Sequence, residues 1–408
     1  MQKIIANVTN NNFNALGKKC GLKINQKQKI KELGAEILKK GTLILRHLTP
    51  EKSIKTAKEY GKTMGNILEK IEIKKEVEKK ILSEFCKNIK TDEVIGYDLT
   101  DEIHPYSDLE AKAGMENNAT VFDGSRRRRE KGFFLHGVGT TDFLLRLESH
   151  ASGKEFLPQK RKEILEEMLP VLRNKGIWAF DRGNDDEKLF SYLNEKAVKF
   201  IVRLKENRKI CICETGEITN VKDLKAGRYE VYVKKSGGFE KGKTNGKGFN
   251  TENKYILLKK EHLKNKKPIL MICSRYLEKL SDEELIEKYL KRWGVETQFR
   301  KVKQLYMLES VQIRNWKRRE NLLALLLFVH FLNRKLQNKL KIAKDNAKKW
   351  ALETWLCLKK FLKKKSKTYN EYSFTEFLRT QIPEKLCFYL RSKNTVNHFR
   401  TTQIKLFN

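Results

Sequence analysis

Tyr289, Arg292, Glu296 and Lys303 follow one another at helical spacing in the stretch YLKRWGVETQFRKVK, a set of side chains able to bind a metal ion and grip phosphate. At 3.6 residues per turn, Arg292, Glu296 and Lys303 fall within about 60° of Tyr289, and Arg300 joins the same arc. Trp293 and Ile286 flank the stripe on one side and Phe299 on the other, so the Glu296 carboxylate is expected at the border of a buried face. A charge there is costly unless it is paired or metal-bound. An i, i+4 ion pair between Arg292 and Glu296 on a solvated helix is the plainer explanation. With 13 Tyr, 87 Lys+Arg and 51 Asp+Glu in 408 residues, however, chance supplies this order at this spacing only about 0.07 times.

Two aspartates follow apolar, strand-like segments: Asp98 in IGYDLTD and Asp181 in AFDRGN. Each alone fits the commoner role of a turn aspartate. Taken with Glu296, they offer three carboxylates from two strands and one helix. Such a set suits two Mg²⁺ ions roughly 4 Å apart, clamping the attacking and leaving oxygens of a phosphodiester displacement. Hard oxygen ligands match Mg²⁺, and Mn²⁺ can substitute. No covalent nucleophile is needed, because water or a 3′-hydroxyl attacks. Arg292, Arg300 and Lys303 would hold non-scissile phosphates, with Tyr289 donating a further hydrogen bond. Trp293 is more often a core residue at such spacing; its sharper role is a wedge stacking on an extruded base.

The elements that must position these residues read as follows. Between 27 and 88, helical periods run through Ile30, Leu33, Ile37 and Leu38, then Ile54, Ala57, Met64 and Ile67, then Ile73, Val77, Ile81 and Phe85, with Gly41 and Pro50 as breaks. A small basic bundle of this kind either sets a helix against DNA or simply packs. After 91 the pattern changes to strands at 94–99, 132–138 and 143–148, the last two joined by a Gly-Thr-Thr-Asp turn. A helix over 160–173, a strand over 177–180, a helix over 185–194 and a strand over 198–204 follow. This is the ribonuclease H-like order, in which the first and fourth strands lie side by side at the sheet centre. Asp98 and Asp181 then converge, and the later helix brings Glu296 to the same point. The Gly- and Lys-rich stretch 206–266 reads as an inserted β subdomain, 267–274 as one more strand, and 316–336 as an apolar helix behind the Glu296 helix. From about 340 the chain is basic and expected to be helical, with KKFLKKKSK as a solvated or phosphate-facing run.

The fold class expected is therefore α/β: a ribonuclease H-like mixed sheet flanked by helices, interrupted by a β-rich insertion, with helical N-terminal and C-terminal regions. The domains divide as 1–90 (helical, basic, DNA-binding), 91–205 and 267–335 (two parts of the catalytic core), 206–266 (insertion) and 336–408 (basic, helical). A net charge of +36 and a pI near 9.8 point to a polyanionic partner, nucleic acid ahead of acidic membrane. Both ends are basic: 1–90 carries 21 basic and 9 acidic side chains, and 330–408 carries 19 and 5. No apolar core of signal-peptide length follows Met1, and the longest apolar run, 322–332, is too short to span a bilayer, so a cytoplasmic, nucleoid-associated bacterial protein is expected. Seven scattered cysteines without a C-x-x-C pair read as reduced thiols, and the seven histidines form no spaced cluster.

The combination of IGYDLTD, of AFDRGNDDEKLFSYL followed by FIVRLK, and of Tyr-x2-Arg-x3-Glu-x6-Lys resembles the DDE transposases of insertion sequence family four, over roughly residues 91–335. The resemblance implies a metal-dependent enzyme that cuts at terminal inverted repeats and joins 3′ ends to target DNA, in cut-and-paste transposition of a mobile element. Asp98, Asp181 and Glu296 map onto its metal-binding triad, and Tyr289, Arg292 and Lys303 onto its signature. Members often cut the second strand through a hairpin intermediate aided by tryptophans, and Trp293 matches one such position. They work as homodimers bridging two transposon ends, with the basic C-terminal region the part of this chain expected to contribute. Two other readings stand beside it: a ribonuclease H-like endonuclease without strand transfer, and a non-catalytic DNA-binding regulator derived from a transposase.

Overall fold

A computed structural model describes residues 2–346 apart from 52, 104–118, 124–126, 151–156, 174, 235–247, 250, 262–267, 312 and 314. The run KKFLKKKSK and the expected dimer contact lie outside the described residues. In chain order the elements are α1 (Gln2–Lys19), α2 (Ile24–Lys40), α3 (Ala57–Lys70), α4 (Lys74–Asn88), β1 (Val94–Ile103), β2 (Ala119–Asp123), β3 (Arg128–Gly139), β4 (Leu144–His150), α5 (Leu157–Leu172), β5 (Ile177–Phe180), α6 (Glu187–Glu195) and β6 (Phe200–Arg203). They continue with β7 (Lys209–Ile212), β8 (Ile218–Asn220), β9 (Gly227–Val233), β10 (Tyr255–Lys260), β11 (Ile269–Ser274), α7 (Asp282–Leu290), α8 (Trp293–Tyr306) and α9 (Trp316–Asn346). Two compact units result: Met1–Ile81, Glu102–Gly132 and Arg300–Asn408 form one, Leu82–Asp101 and Phe133–Phe299 the other.

The first unit is built on α9. Leu325, Leu326, Leu327 and Phe328 are all fully buried, as expected of a helix apolar on every side, and the helix packs against α1, α2 and α3. Phe13 meets Phe328 edge to face with centroids 5.1 Å apart. Buried Asn321 supplies the polar link. Its amide nitrogen donates to the carbonyls of Leu68 at 2.9 Å and Ile71 at 3.0 Å, and its oxygen accepts from the Ile73 amide at 3.1 Å. One side chain thus satisfies carbonyls at the end of α3 and the backbone just before α4, groups that a helix leaves without partners. Arg319 and Glu102 form a fully buried ion pair. The helices expected between 27 and 88 are α2, α3 and α4. Ahead of them α1 forms from an Asn-rich segment of poor propensity, carried by burial of Val8, Phe13 and Leu16. Ile54 is fully exposed rather than on a helical face, because a capping box of Thr56 and Glu59 starts α3 only at Ala57.

In the second unit the strands run β4-β3-β1-β5-β6 and continue β11-β10-β9-β7-β8. Hairpin, first strand, fourth and fifth lie in the ribonuclease H-like order, a mixed sheet flanked by helices. β1, β5 and β6 are parallel, and β11 joins β6 antiparallel. The strands of 206–266 therefore extend the main sheet through β11. Alternation along β5 and β6 divides the core. Ile177 and Ile201 face α7, packing with Leu285 and Tyr289, while Phe200 stacks on Phe190 of α6 at 6.1 Å. β1 and β3 run longer than expected, and β2 pairs with the start of β3 in the first unit, Ala119 opposite Gly132 and Asp123 opposite Arg128. Among the described residues no helix is long and apolar enough to cross a membrane, and Cys20, Cys86, Cys211, Cys213 and Cys273 are free thiols.

Candidate active site

The register between β1 and β5 ends with Tyr97 opposite Phe180, so the next residue of each strand, Asp98 and Asp181, sits at the same level of two adjacent parallel strands. Asp98 shares a face with Gly96, and the chain entering α8 lies directly over that glycine. A Cβ at Gly96 would come within 3.1 Å of both the Arg292 carbonyl oxygen and Val295. A Cβ at Gly137 would come within 2.1 Å of the Phe299 ring. These two missing side chains let α8 settle on β1 and β3, and so bring Glu296 to Asp98.

Arg292 joins the two acids. Its NH2 lies 2.6 Å from Glu296 Oε1 and its NH1 3.4 Å from Asp98 Oδ1. The Arg292 side chain is 6% exposed, Asp98 13% and Glu296 42%, which puts Glu296 at the rim, as its place beside Phe299 predicted. Burial pushes the Asp98 carboxyl up to about 7; Arg292 opposes the shift, and the charges of Asp181 and Glu296 add to it. Burial works against the Arg292 charge, but Tyr289, Asp98 and Glu296 outweigh it and hold the group above its ordinary range. The guanidinium carbon stands 5.8 Å from the Tyr289 ring centroid, and Arg292 Nε and NH1 are buried without a hydrogen-bond partner among the described residues.

Asp181 is held from its own turn. Asn184 donates its amide to Asp181 Oδ1, and Arg161 on α5 donates through NH1 to Asn184 Oδ1 at 3.0 Å. Neither Asn184 nor Arg161 was picked out from the sequence. An asparagine three residues after an aspartate was the available signal, whereas nothing local ties Arg161 to this turn. On the opposite face of β1, the Tyr97 hydroxyl meets His136 Nδ1 at 2.6 Å, and the His136 and His150 rings stand 5.3 Å apart. Burial, then His150, push His136 down to about 3 and keep it neutral. These two histidines meet across the β3–β4 hairpin, on neighbouring antiparallel strands.

Of the expected site residues, Asp98, Asp181, Glu296, Arg292 and Tyr289 come together in the second unit. Tyr289 is 6% exposed and also packs into the core beside Ile177 and Met271. Trp293, at 60% exposure, is a surface residue and not part of the core. Arg300 and Lys303 continue α8 within the first unit, where Lys303 pairs with Glu309 at 3.0 Å. The donor chemistry of Asp98, Asp181 and Glu296 suits a hard divalent cation. Among the described residues no three acidic, histidine or cysteine side chains are grouped to hold a metal ion, and the Arg292 guanidinium provides the positive charge shared by Asp98 and Glu296.

The raised Asp98 carboxyl gives a stability signature. A group whose folded value lies above its unfolded one contributes stability that is complete below the unfolded value, near 4, and lost as pH rises through the folded value, about 7. Asn cannot ionise, so Asp98→Asn is expected to be more stable than wild type above pH 7. The gap should close towards pH 4 by up to roughly 1.4 kcal/mol per pH unit. Denaturant melts of both proteins at pH 4, 5.5, 7 and 8 measure it, and a pH-independent gap refutes the raised value.

Residues 153–332 match the family model of the transposase DDE domain. The matched segment holds Asp181 and Glu296, and Asp98 precedes it. No curated protein matches the chain. Among solved structures, it is similar to one described as a cryo-EM structure of the piggyBac transposase synaptic complex with hairpin DNA, with 9% identity and a TM-score of 0.44, covering 98% of this chain and 80% of that one.

Proposed function

We propose that the chain is a DDE transposase that cuts DNA at the ends of an insertion sequence and joins the freed 3′ ends to target DNA. The observation that carries this reading is the level placement of Asp98 and Asp181 on adjacent parallel strands, with Glu296 reaching the same face from α8. The transposase DDE domain match, which includes two of the three acids, supports it.

Asp98, Asp181 and Glu296 would hold Mg²⁺, or Mn²⁺ in its place. Bound there, the ions would polarise the scissile phosphate and stabilise the departing oxyanion. Arg292, Arg300 and Lys303 would grip flanking phosphates, which carry position rather than sequence, and Tyr289 would add a hydrogen bond at the floor of the site. The exposed ring of Trp293, one turn before Glu296, is free to stack on a base drawn out of the duplex. The net charge of +36 supplies general affinity for DNA, so binding should weaken steeply with salt. A homodimer would bring two element ends together.

The test incubates the protein with a duplex carrying the gene's own flanking ends, in Mg²⁺ or Mn²⁺, and scores nicks, hairpins and joined strands on denaturing gels. Joined products are expected, and a hairpin would identify the second-strand route. Nicks alone would make the protein a nuclease, and binding without cutting would make it a DNA-binding regulator.

A further inference from the structure

We propose that a cleft at the turn between β6 and β7 is a seat for the DNA phosphate backbone, built from Lys205, Arg208, Lys209 and Lys234 and recognising charge without sequence. The inference rests on the reading of the chain as a protein that acts on DNA, and it involves no metal ion.

The cleft has a volume of about 280 Å³, and Asp185 and Asn207 complete its lining. No aromatic or apolar side chain is among these residues, so the cleft offers a base or nucleoside nothing to stack on, whereas its donors suit an oxyanion. Its one acid is already committed. The Asp185 side chain is fully buried, its Oδ2 accepting from the Lys205 amide at 2.8 Å and its Oδ1 from Arg208 Nε at 2.8 Å, and Arg208 NH2 donates to the Asp185 carbonyl at 2.7 Å. Asp185 thus fixes the turn and the arginine, and Arg208 NH1 is left without a partner among the described residues. Lys205, Lys209 and Lys234 are exposed, and none of their ammonium groups has an acidic partner among the described residues. Two of them repel each other. Buried Ile210 and Val233 pair across β7 and β9, and the Lys234 amide reaches the Lys209 carbonyl, so Lys209 and Lys234 stand opposite one another on the other face of the two strands. Like charges so placed are destabilising, and a phosphate between them reverses the sign of the interaction. The backbone that carries these cations is held on both sides of the turn: the Val221 amide donates to the Arg208 carbonyl at 2.9 Å and the Lys222 amide to the Glu206 carbonyl at 3.0 Å. Position completes the case. β6 runs parallel to β5 with Phe180 opposite Val202, so the cleft lies just past the carboxyl end of β6, at the sheet edge where β5 delivers Asp181. A duplex laid along that edge presents its backbone to the cleft.

Fluorescence anisotropy tests this, with the full chain titrated at a series of salt concentrations onto two duplexes, one carrying the gene's own flanking ends and one of unrelated sequence. Lys209→Gln combined with Lys234→Gln is expected to make the slope of log affinity against log salt shallower by about 1. Both duplexes should weaken by the same factor, about 8-fold at about 0.1 M salt for a slope of about 0.9 per phosphate. Lys205→Gln should move the slope in the same direction, which covers the case in which the double variant fails to fold. Lys196→Gln combined with Lys279→Gln removes the same charge elsewhere in the second unit and is expected to leave the slope unchanged. If the cleft pair and the control pair shift the slope equally, or neither shifts it, the affinity is bulk charge and the proposal is wrong while the DNA reading stands. Weakening confined to the end-bearing duplex would make the cleft a reader of sequence and overturn its backbone role. Loss of inorganic phosphate binding in the cleft pair, with the DNA slope of wild type kept, would make it a free-anion site and overturn the proposal equally. If wild type binds neither duplex, the DNA reading itself falls and the cleft's role with it.

Discussion

Glu296→Gln brings cleavage of end-bearing duplex to background, a loss on the order of 10³-fold or roughly 4 kcal/mol of barrier, while DNA binding stays within about twofold. The size of the effect follows from what Glu296 does and does not hold. Its side chain is 42% exposed and its ion pair in the structure is with Arg292, four residues earlier on the same face, so the fold does not depend on it. Glutamine keeps the volume and an oxygen for Arg292 but removes the negative charge a divalent cation needs. Gel-shift titrations alongside the cleavage gels, with circular dichroism as a check on folding, measure the contrast. Cutting retained by Glu296→Gln would remove Glu296 from the catalytic set.

The second large effect is on stability. Arg319→Met should destabilise the protein by about 3–5 kcal/mol, because the Glu102 carboxylate, fully buried, loses its guanidinium. Adding Glu102→Leu should recover most of that loss, since a buried ion pair is costly to break by half but cheap to replace with apolar volume. Denaturant midpoints of the two single variants and the double variant close the cycle. A cost under about 1 kcal/mol for Arg319→Met would mean that Glu102 is stabilised by its other neighbours.

The juxtaposition of Asp98, Asp181 and Glu296 was legible because each part is written locally and their meeting follows from element order. Val94 to Tyr97 and Ile177 to Phe180 are short apolar runs, each ending at an aspartate, and the hairpin–first–fourth–fifth strand order sets those ends side by side. The set of Tyr289, Arg292 and Glu296 is equally local, but the single helix expected to carry it is broken at Lys291 and Arg292, so Tyr289 belongs to the last turn of α7 and Glu296 to α8. What stayed hidden depends on distant partners. Helix α1 forms against its own weak propensity because Phe13 finds Phe328. The strand β2 and the start of β3, which flank a run of four arginines, have no apolar alternation to announce them and are recognised by their backbone pairing. Arg161 reaches the Asp181 turn through Asn184, a relation that no spacing encodes. The strands of 206–266 carry the right composition, but only β11 shows that they extend the main sheet.

Asn321 carries a consequence for synthesis. It lies 248 residues from Ile73 and 253 from Leu68, the backbone groups it joins. On a chain made from its amino end, α3 and α4 leave the ribosome long before their shared partner exists, and their facing ends stay hydrated until α9 follows. The second unit meets no such delay, since all its residues precede 300. The unit begun first is thus the one completed last, and closing it across some 250 residues should be a late, slow step of folding.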